Sequence, residues 1–289
     1  MNVRRLDTNP IITPDMDERM GHNINGPSLI RIPDWVPDPL GRYYLYFGHH
    51  RGTYIRLATS DHLEGPWRIH TPGVLDLEDS LFGHHIASPD IHVMDDSREI
   101  RMYFHGGGLP QPSPFGQRTR LATSADGIHF EVLEELLGAP YWRVFWWDGF
   151  WYTLEMPGVF RRSGNGISGW EEGPTLFTPD LRHPALRVEG NRLSVYYSNA
   201  GDRPERILHS TIHLTSDWMD WTAGESTTVL ALETEYEGTD RPLEPSRRGA
   251  INEPVHQLRD PGIFEEDGKI YLLYSVAGER GIAISELTG

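Results

Sequence analysis

A repeated phrase sets the terms for this chain: "IRLATSDHLEGPW" at 55–67 returns as "TRLATSADGIHF" at 119–130. Working outward from it, five runs line up: "GRYYLYFGH" (41–49), "REIRMYFHG" (98–106), "GFWYTLEMP" (149–157), "NRLSVYYSN" (191–199) and "GKIYLLYSV" (268–276). Each opens at a turn-forming or charged residue and continues into aromatic and aliphatic residues, as strands do. Each follows a shorter apolar run, in order "GPSLIRI", "SPDIHVM", "YWRVFWW", "HPALRVE" and "DPGIFEE". Each is followed by a third run ending near Ser or Thr, and in four copies by a fourth bearing Trp or Phe ("GPWRIH", "IHFEVL", "SGWEEG", "MDWTAG"). Four short antiparallel strands repeated five times predict an all-β, five-bladed β-propeller, with residues 1–289 as one domain.

The fifth copy stops at "AISELTG", one strand short. The N-terminal "RRLDTNPIITP" is similar to the fourth-strand stretches "WRIHTPGVLDL" and "EEGPTLFTPDL". The first residues are therefore expected to complete the last blade, closing the ring and covering a sheet edge. The longest insertion, 233–255, is polar and Pro-rich and reads as a loop on one face.

Composition narrows the function. The formal charge of −16 argues against nucleic acid, whose binding rests on phosphate contacts, and against anionic membranes. No apolar run approaches the roughly 18 residues of a membrane helix. The N-terminal stretch has two Arg but no apolar segment behind them, so it does not read as a secretory signal. The absence of Cys excludes disulfides and thiolate metal sites. Together these point to a cytoplasmic protein with a small-molecule partner.

The five copies can be compared with one another. In the second strand one column holds Phe47, Phe104, Glu155, Tyr197 and Tyr274, so a carboxylate stands among aromatics. Semi-buried, Glu155 would have a raised pKa and suit a general acid; paired with Arg143, Arg161 or Arg162, it would be structural. At the start of the innermost strand, the column before the Pro holds Gly26, Ser88, Tyr141, His183 and Asp260, with Trp142 replacing Pro in the third copy. The column after it holds Ser28, Asp90, Arg143, Ala185 and Gly262. Because inner strands converge on the propeller axis, Asp90, Asp260, His183, Arg143, Tyr141 and Glu155 are expected at one mouth. His22, His84 and His256 each lie five residues before a Pro, with His85, His105, His49 and His50 expected on the same rim. These imidazoles suit a divalent metal ion, substrate hydroxyls, or loop capping; no close-spaced metal motif favours the first. Trp142 and its aromatic neighbours are candidates for stacking on a sugar ring.

At this point the chain resembles the five-bladed propeller glycoside hydrolases, namely family 43, family 117 and the invertase-like families. The resemblance spans nearly the whole chain and rests on "NPIITP", "GPSLIRI" with "GRYYLYF", "ASPDIHV" with "REIRMYF", and "RDPGIFEEDGKIYLLYS". It implies a carbohydrate-active hydrolase acting on a small glycoside or oligosaccharide in the central pocket. The usual family 43 carboxylate set is missing: Gly26-Pro27 stands where that family has its basic Asp, Tyr141-Trp142 where it has a second Asp, and His183-Pro184 where it has the acidic Glu. Only Asp90 matches, at a position that supports catalysis in that family. Family 117, taken to use a His as acid, draws attention to His183.

The expected catalytic set is then Asp260 or Asp90 as base and Glu155 or His183 as acid. Two such groups must flank the scissile bond, at roughly 6.5–9.5 Å for inversion or about 5 Å for retention. Arg143, Tyr141, Trp142, Arg259, His22, His84, His85, His105 and His256 are the expected substrate contacts, with Arg143 suited to an anionic group. The alternatives are a sugar-binding propeller without catalysis, or a metal-dependent hydrolase or lyase using His22, His84 and His256.

Overall fold

In the computed structural model, which describes residues 1–109 and 114–289, five four-stranded antiparallel sheets form a ring. Blade one is β2 (Asn25–Arg31), β3 (Tyr43–Gly48), β4 (Tyr54–Ser60) and β5 (Arg68–Asp76), ordered outward from the axis. Blade two is β6 (His85–Met94), β7 (Glu99–Gly107), β8 (Gln117–Ser124) and β9 (Glu131–Val132). Blade three is β10 (Arg143–Trp147), β11 (Phe150–Glu155), β12 (Val159–Ser163) and β13 (Glu171–Thr175). Blade four is β14 (Ala185–Glu189), β15 (Arg192–Tyr197), β16 (Ile207–His213) and β17 (Thr227–Leu230). Blade five is β18 (Arg259–Glu266), β19 (Lys269–Ser275), β20 (Ile282–Thr288) and, as its outer strand, β1 (Asn2–Arg5).

The ring closes as the sequence predicts. β1 runs antiparallel to β20, from Asn2 opposite Thr288 to Arg5 opposite Ser285. The chain stays on β20 beyond β1, with Ile11 N–H donating to Ile282 O at 2.8 Å and Ile12 fully buried. One strand assignment is corrected. Blade four's outer strand is Thr227–Leu230, not "MDWTAG" (219–224). That stretch begins in a single 3₁₀ turn, Trp218–Asp220, capped by Asp217, and it turns Trp218 and Trp221 into the core between blades three and four. Burial of two indoles outweighs strand pairing there.

The apolar residues sort into five clusters, each shared by two adjacent blades. Between blades five and one, for example, Phe264, Leu273 and Ile284 pack on Leu29, Leu45 and Phe47. Alternation along each strand thus feeds two cores, and the inner strands are left around a polar axis.

Candidate active site

The inner strands begin with a repeated backbone device. The residue before the Pro column has a positive φ in four blades: Gly26 (61°), Ser88 (48°), Tyr141 (64°) and Asp260 (49°). In blades one, two and five the pairing register shifts at that point, between Asn25 and Ser28, Ala87 and Asp90, and Arg259 and Gly262. A bulge with a left-handed residue re-aims a side chain, and for a residue as bulky as Tyr or Asp it costs of order 1–3 kcal/mol. Four repetitions of one left-handed conformation, three of them strained, mark this end of the ring.

Two cavities follow one another along that axis. The lower one, of about 200 Å³, lies between the inner strands and is lined by all five blades. It contains Asp90, His92 and Arg143. Here Asp90 is satisfied by its neighbours, while buried Arg143 keeps its Nη2 without a hydrogen-bond partner among the described residues. Asp90 Oδ2 accepts the backbone N–H of Val144 at 2.8 Å and meets His92 Nε2 at 2.9 Å, while its Oδ1 lies 3.9 Å from Arg143 Nε. Ser28, one blade earlier, does the same service, accepting Ile91 N–H at 3.0 Å. Inner strands are sheet edges, so their outward N–H groups need acceptors, and the column after the Pro supplies them from the neighbouring blade. Asp90 is thereby a blade-to-blade fastener. Arg143 is buried beside it, and burial pulls its pKa down.

The upper cavity, of about 210 Å³, opens at the strained mouth. Tyr141, His183, Arg182 and His50 line it from the blades, with Met156 at the end of blade three. Arg248 and Gly249 enter from the 233–255 insertion, and Phe115 and Gln117 from blade two. No Asp or Glu is among these lining residues.

His183 is held from behind. Its Nδ1 lies against Oδ1 of Asp260, which is fully buried and receives Ser275 Oγ–H at 3.3 Å on Oδ2. Asp260 thus sits on the Nδ1 side of the ring, in ionic contact but without hydrogen-bond geometry, and Nε2 has no hydrogen-bond partner among the described residues. Burial lowers the His183 pKa, and Asp260 opposes this without reversing it, so the ring is neutral at pH 7. Asp260 is itself held below the usual carboxylate range, its burial outweighed by His183 and Arg259. Tyr141 lies against His183 with ring centroids 3.8 Å apart, and against buried His105 at 4.2 Å. Burial and the charges of Asp260 and Glu279 push the Tyr141 phenol up, so it keeps its proton.

Behind these rings lies a buried ion network. Arg259, with no exposed surface, donates to Glu279 at 2.9 Å and to Gln257 at 2.5 and 3.0 Å, and lies 3.4 Å from Glu205. Arg182 Nε lies 3.0 Å from the same Glu205. Both guanidiniums donate to the carbonyl of Arg247, and Arg259 also donates to that of Gly249 at 3.3 Å. The two cations therefore clamp the insertion on either side of Arg248. Glu279 is held at about 2 although buried, because His50, Arg259 and Asn23 all stabilise its charge. Burial raises the Glu205 pKa, opposed by Arg182 and Arg259.

Several sequence expectations are redirected. Glu155 lines neither cavity: its oxygens receive Ala139 N–H (2.8 Å), Trp142 Nε1–H (2.6 Å) and Arg161 Nε–H (2.8 Å). A carboxylate saturated by three donors, one of them Arg161, is the structural reading of that column. Trp142 is spent on it, 2% exposed. Arg259 is buried behind the cavity wall, and Arg143 belongs to the lower cavity. Asp260 and His183 are in contact, so they do not flank a bond from two sides. Of the histidines, His84 stacks on His85 with Nδ1 atoms 2.8 Å apart, and His85 lies edge-on to His105 at 6.1 Å. His22 is exposed, and His256 Nδ1 sits 3.3 Å from Arg241 O. Among the described residues no three His, Asp or Glu side chains are grouped to hold a metal ion, so His22, His84 and His256 do not form a centre. Sequence reasoning missed the cavity roles of Arg182, Arg248, Phe115, Gln117 and Met156. All but Met156 stand outside the aligned columns.

No family model matches the chain. It is 36% identical to the uncharacterized protein R118 of Acanthamoeba polyphaga mimivirus over 322 aligned residues, covering 99% of this chain and 90% of that protein. Among solved structures it is similar to a family 43 β-xylosidase/α-arabinofuranosidase from a compost microbial metagenome, crystallised with xylotriose (TM-score 0.65, 15% identity, 99% of this chain and 95% of that one). It is likewise similar to an α-L-arabinofuranosidase from Lactobacillus brevis (0.62, 15%, 97% and 92%). A family 43 enzyme from Xanthomonas citri, complexed with xylose, also matches (0.62, 13%, 96% and 89%). At these identities the likeness is one of fold: the chain has the five-bladed propeller of the family 43 glycoside hydrolases.

Proposed function

The chain belongs to the same family as the mimivirus protein R118, and we propose that it binds a small glycoside in the upper cavity and cleaves the glycosidic bond by acid/base catalysis. The observation that carries this reading is His183, backed by buried Asp260 and lining a cavity of about 210 Å³. That volume suits one or two sugar rings, and Phe115, 46% exposed, offers an apolar face for stacking. A neutral imidazole held by a carboxylate accepts a proton at pH 7 and returns it later in the cycle; Asp260 is the positioning residue. Tyr141, kept protonated, is the nearby donor. The propeller neighbours that hold xylose or xylotriose support a sugar as ligand.

A panel of aryl glycosides and oligosaccharides, assayed for turnover and by calorimetry, tests the proposal. Turnover that His183→Ala lowers by about 10²–10⁴ while binding persists supports it. Binding without turnover leaves a sugar-binding propeller. Neither binding nor turnover overturns it.

A further inference from the structure

Resting on that reading, we propose that the glycoside carries a carboxylate held by Arg248 and Arg182, and that the bond is cleaved by elimination from this uronide. Three observations on the cavity carry this.

The first is its charge. In a chain of net charge −16, the cavity is lined by two arginines and by no Asp or Glu. The second is that the arginines are left partly unused. Arg248 donates to Pro179 O and lies 3.7 Å from Met156 Sδ, and among the described residues no carboxylate is within ion-pairing distance of it. Arg182 donates Nη2 to Arg247 O, and its Nε, in ionic contact with Glu205, and its Nη1 make no hydrogen bond among the described residues. Burial and then the charge of Arg182 depress the Arg248 pKa, against Asp180 and Glu205, and an anion between the two guanidiniums removes their repulsion. The clamped carbonyls of Arg247 and Gly249 keep Arg248 in place despite its loop setting.

The third is what the site lacks for hydrolysis. Cleavage by water in most glycoside hydrolases uses two carboxyl groups flanking the bond, and among the described residues none lines this cavity. Elimination from a 4-linked uronide needs none from the protein. The hydrogen on C5, next to the carboxylate, leaves as a proton to His183 Nε2. Its electron pair forms the C4=C5 double bond, the C4–O bond breaks, and the departing oxygen takes the proton of the Tyr141 hydroxyl. No water is consumed. The arginine pair stabilises the extra negative charge that builds on the carboxylate as the C–H bond breaks. The contact of Tyr141 with His183 then lets the proton return from imidazolium to phenolate, restoring both groups.

The test is to incubate the full chain with 4-linked oligouronides, their methyl esters, and neutral and sulfated oligosaccharides. Ultraviolet absorbance reports the conjugated product, and heavy-oxygen water reports hydrolysis. The expected result is a conjugated product from the uronide without solvent oxygen. Arg248→Met should lower kcat/KM for the uronide about ten- to hundredfold while leaving affinity for a neutral sugar unchanged, and Arg248→Lys should recover part of it. Solvent oxygen in the product overturns elimination. Equal binding of neutral sugars, tighter binding of sulfated ones, or indifference to Arg248→Met overturns the carboxylate site. Cleavage of neutral glycosides alone overturns this inference and keeps the glycoside reading, whereas inertness to every sugar overturns both.

Discussion

The two cavities on the propeller axis are of nearly equal size, about 200 and 210 Å³, and are built from neighbouring columns of the same repeat. They differ in where their polar groups are directed. In the lower cavity Asp90 receives Val144 N–H and His92, and the charge of Arg143 lies beside it. In the upper cavity the supporting acids, Asp260, Glu205 and Glu279, are buried behind the wall, and two of the groups they hold, His183 and Arg182, line the cavity. A carboxylate satisfied across two blades, as Asp90 is, fastens them; side chains supported only from behind are prepared for something else to complete them.

The largest effect expected is on the support of the upper cavity. Arg259→Met leaves Glu279 and Glu205 short of a buried cation and should cost about 3–5 kcal/mol in denaturant unfolding. Sugar affinity should fall as well, because the Arg248 segment loses a clamp. An unchanged midpoint would mean that the network is not what holds the mouth.

Next comes Glu155, which the account makes structural. Glu155→Ala strands Ala139 N–H, the Trp142 indole and Arg161, and should cost about 2–4 kcal/mol. The folded fraction should retain its kcat. A folded variant with kcat reduced a hundredfold would return Glu155 to the chemistry.

The smallest effect sharpens the contrast by pH. Burial holds His183 below its ordinary pKa and His105 well below. The unfolded chain therefore binds more protons than the folded one once pH drops below about 6.5, and stability is full above that value and lost beneath it. Each such His steepens the loss by up to about 1.4 kcal/mol per pH unit. His105→Asn should flatten the slope of unfolding free energy against pH between 6.5 and 5. Activity should fall only at pH below the ordinary His value, where His183, its pKa lowered by burial, gains its proton. Activity that rises on acidification would contradict a neutral His183.

The repeat made the ring legible because propeller blades share a strand pattern, and even the closure by "RRLDTNPIITP" followed from it. Blade four's outer strand was misplaced because two Trp imitate a fourth strand while packing as a capped turn. At the site, the column before the Pro supplies Tyr141 and His183 to the upper cavity's wall and buries Asp260 behind it, and four of its five members share a left-handed conformation. Column comparison also singled out Glu155, because a broken column reveals that a residue is special and not what it touches; Arg161 is the answer. Arg248 was out of reach. It lies in an insertion that only one blade carries, so it has no sibling to depart from, and its position depends on two buried arginines from other segments.

The central claim is that chemistry belongs to the upper cavity and fastening to the lower, and one paired measurement tests it: kcat/KM of Asp260→Asn beside Asp90→Asn on the same sugar, with both variants shown to be folded. Asn keeps the size of each side chain and removes its charge. The account predicts that Asp260→Asn falls a hundredfold or more, roughly the lower bound for a proton-transfer group, while Asp90→Asn stays close to the parent protein. The reverse order, or equal losses in both, would contradict it.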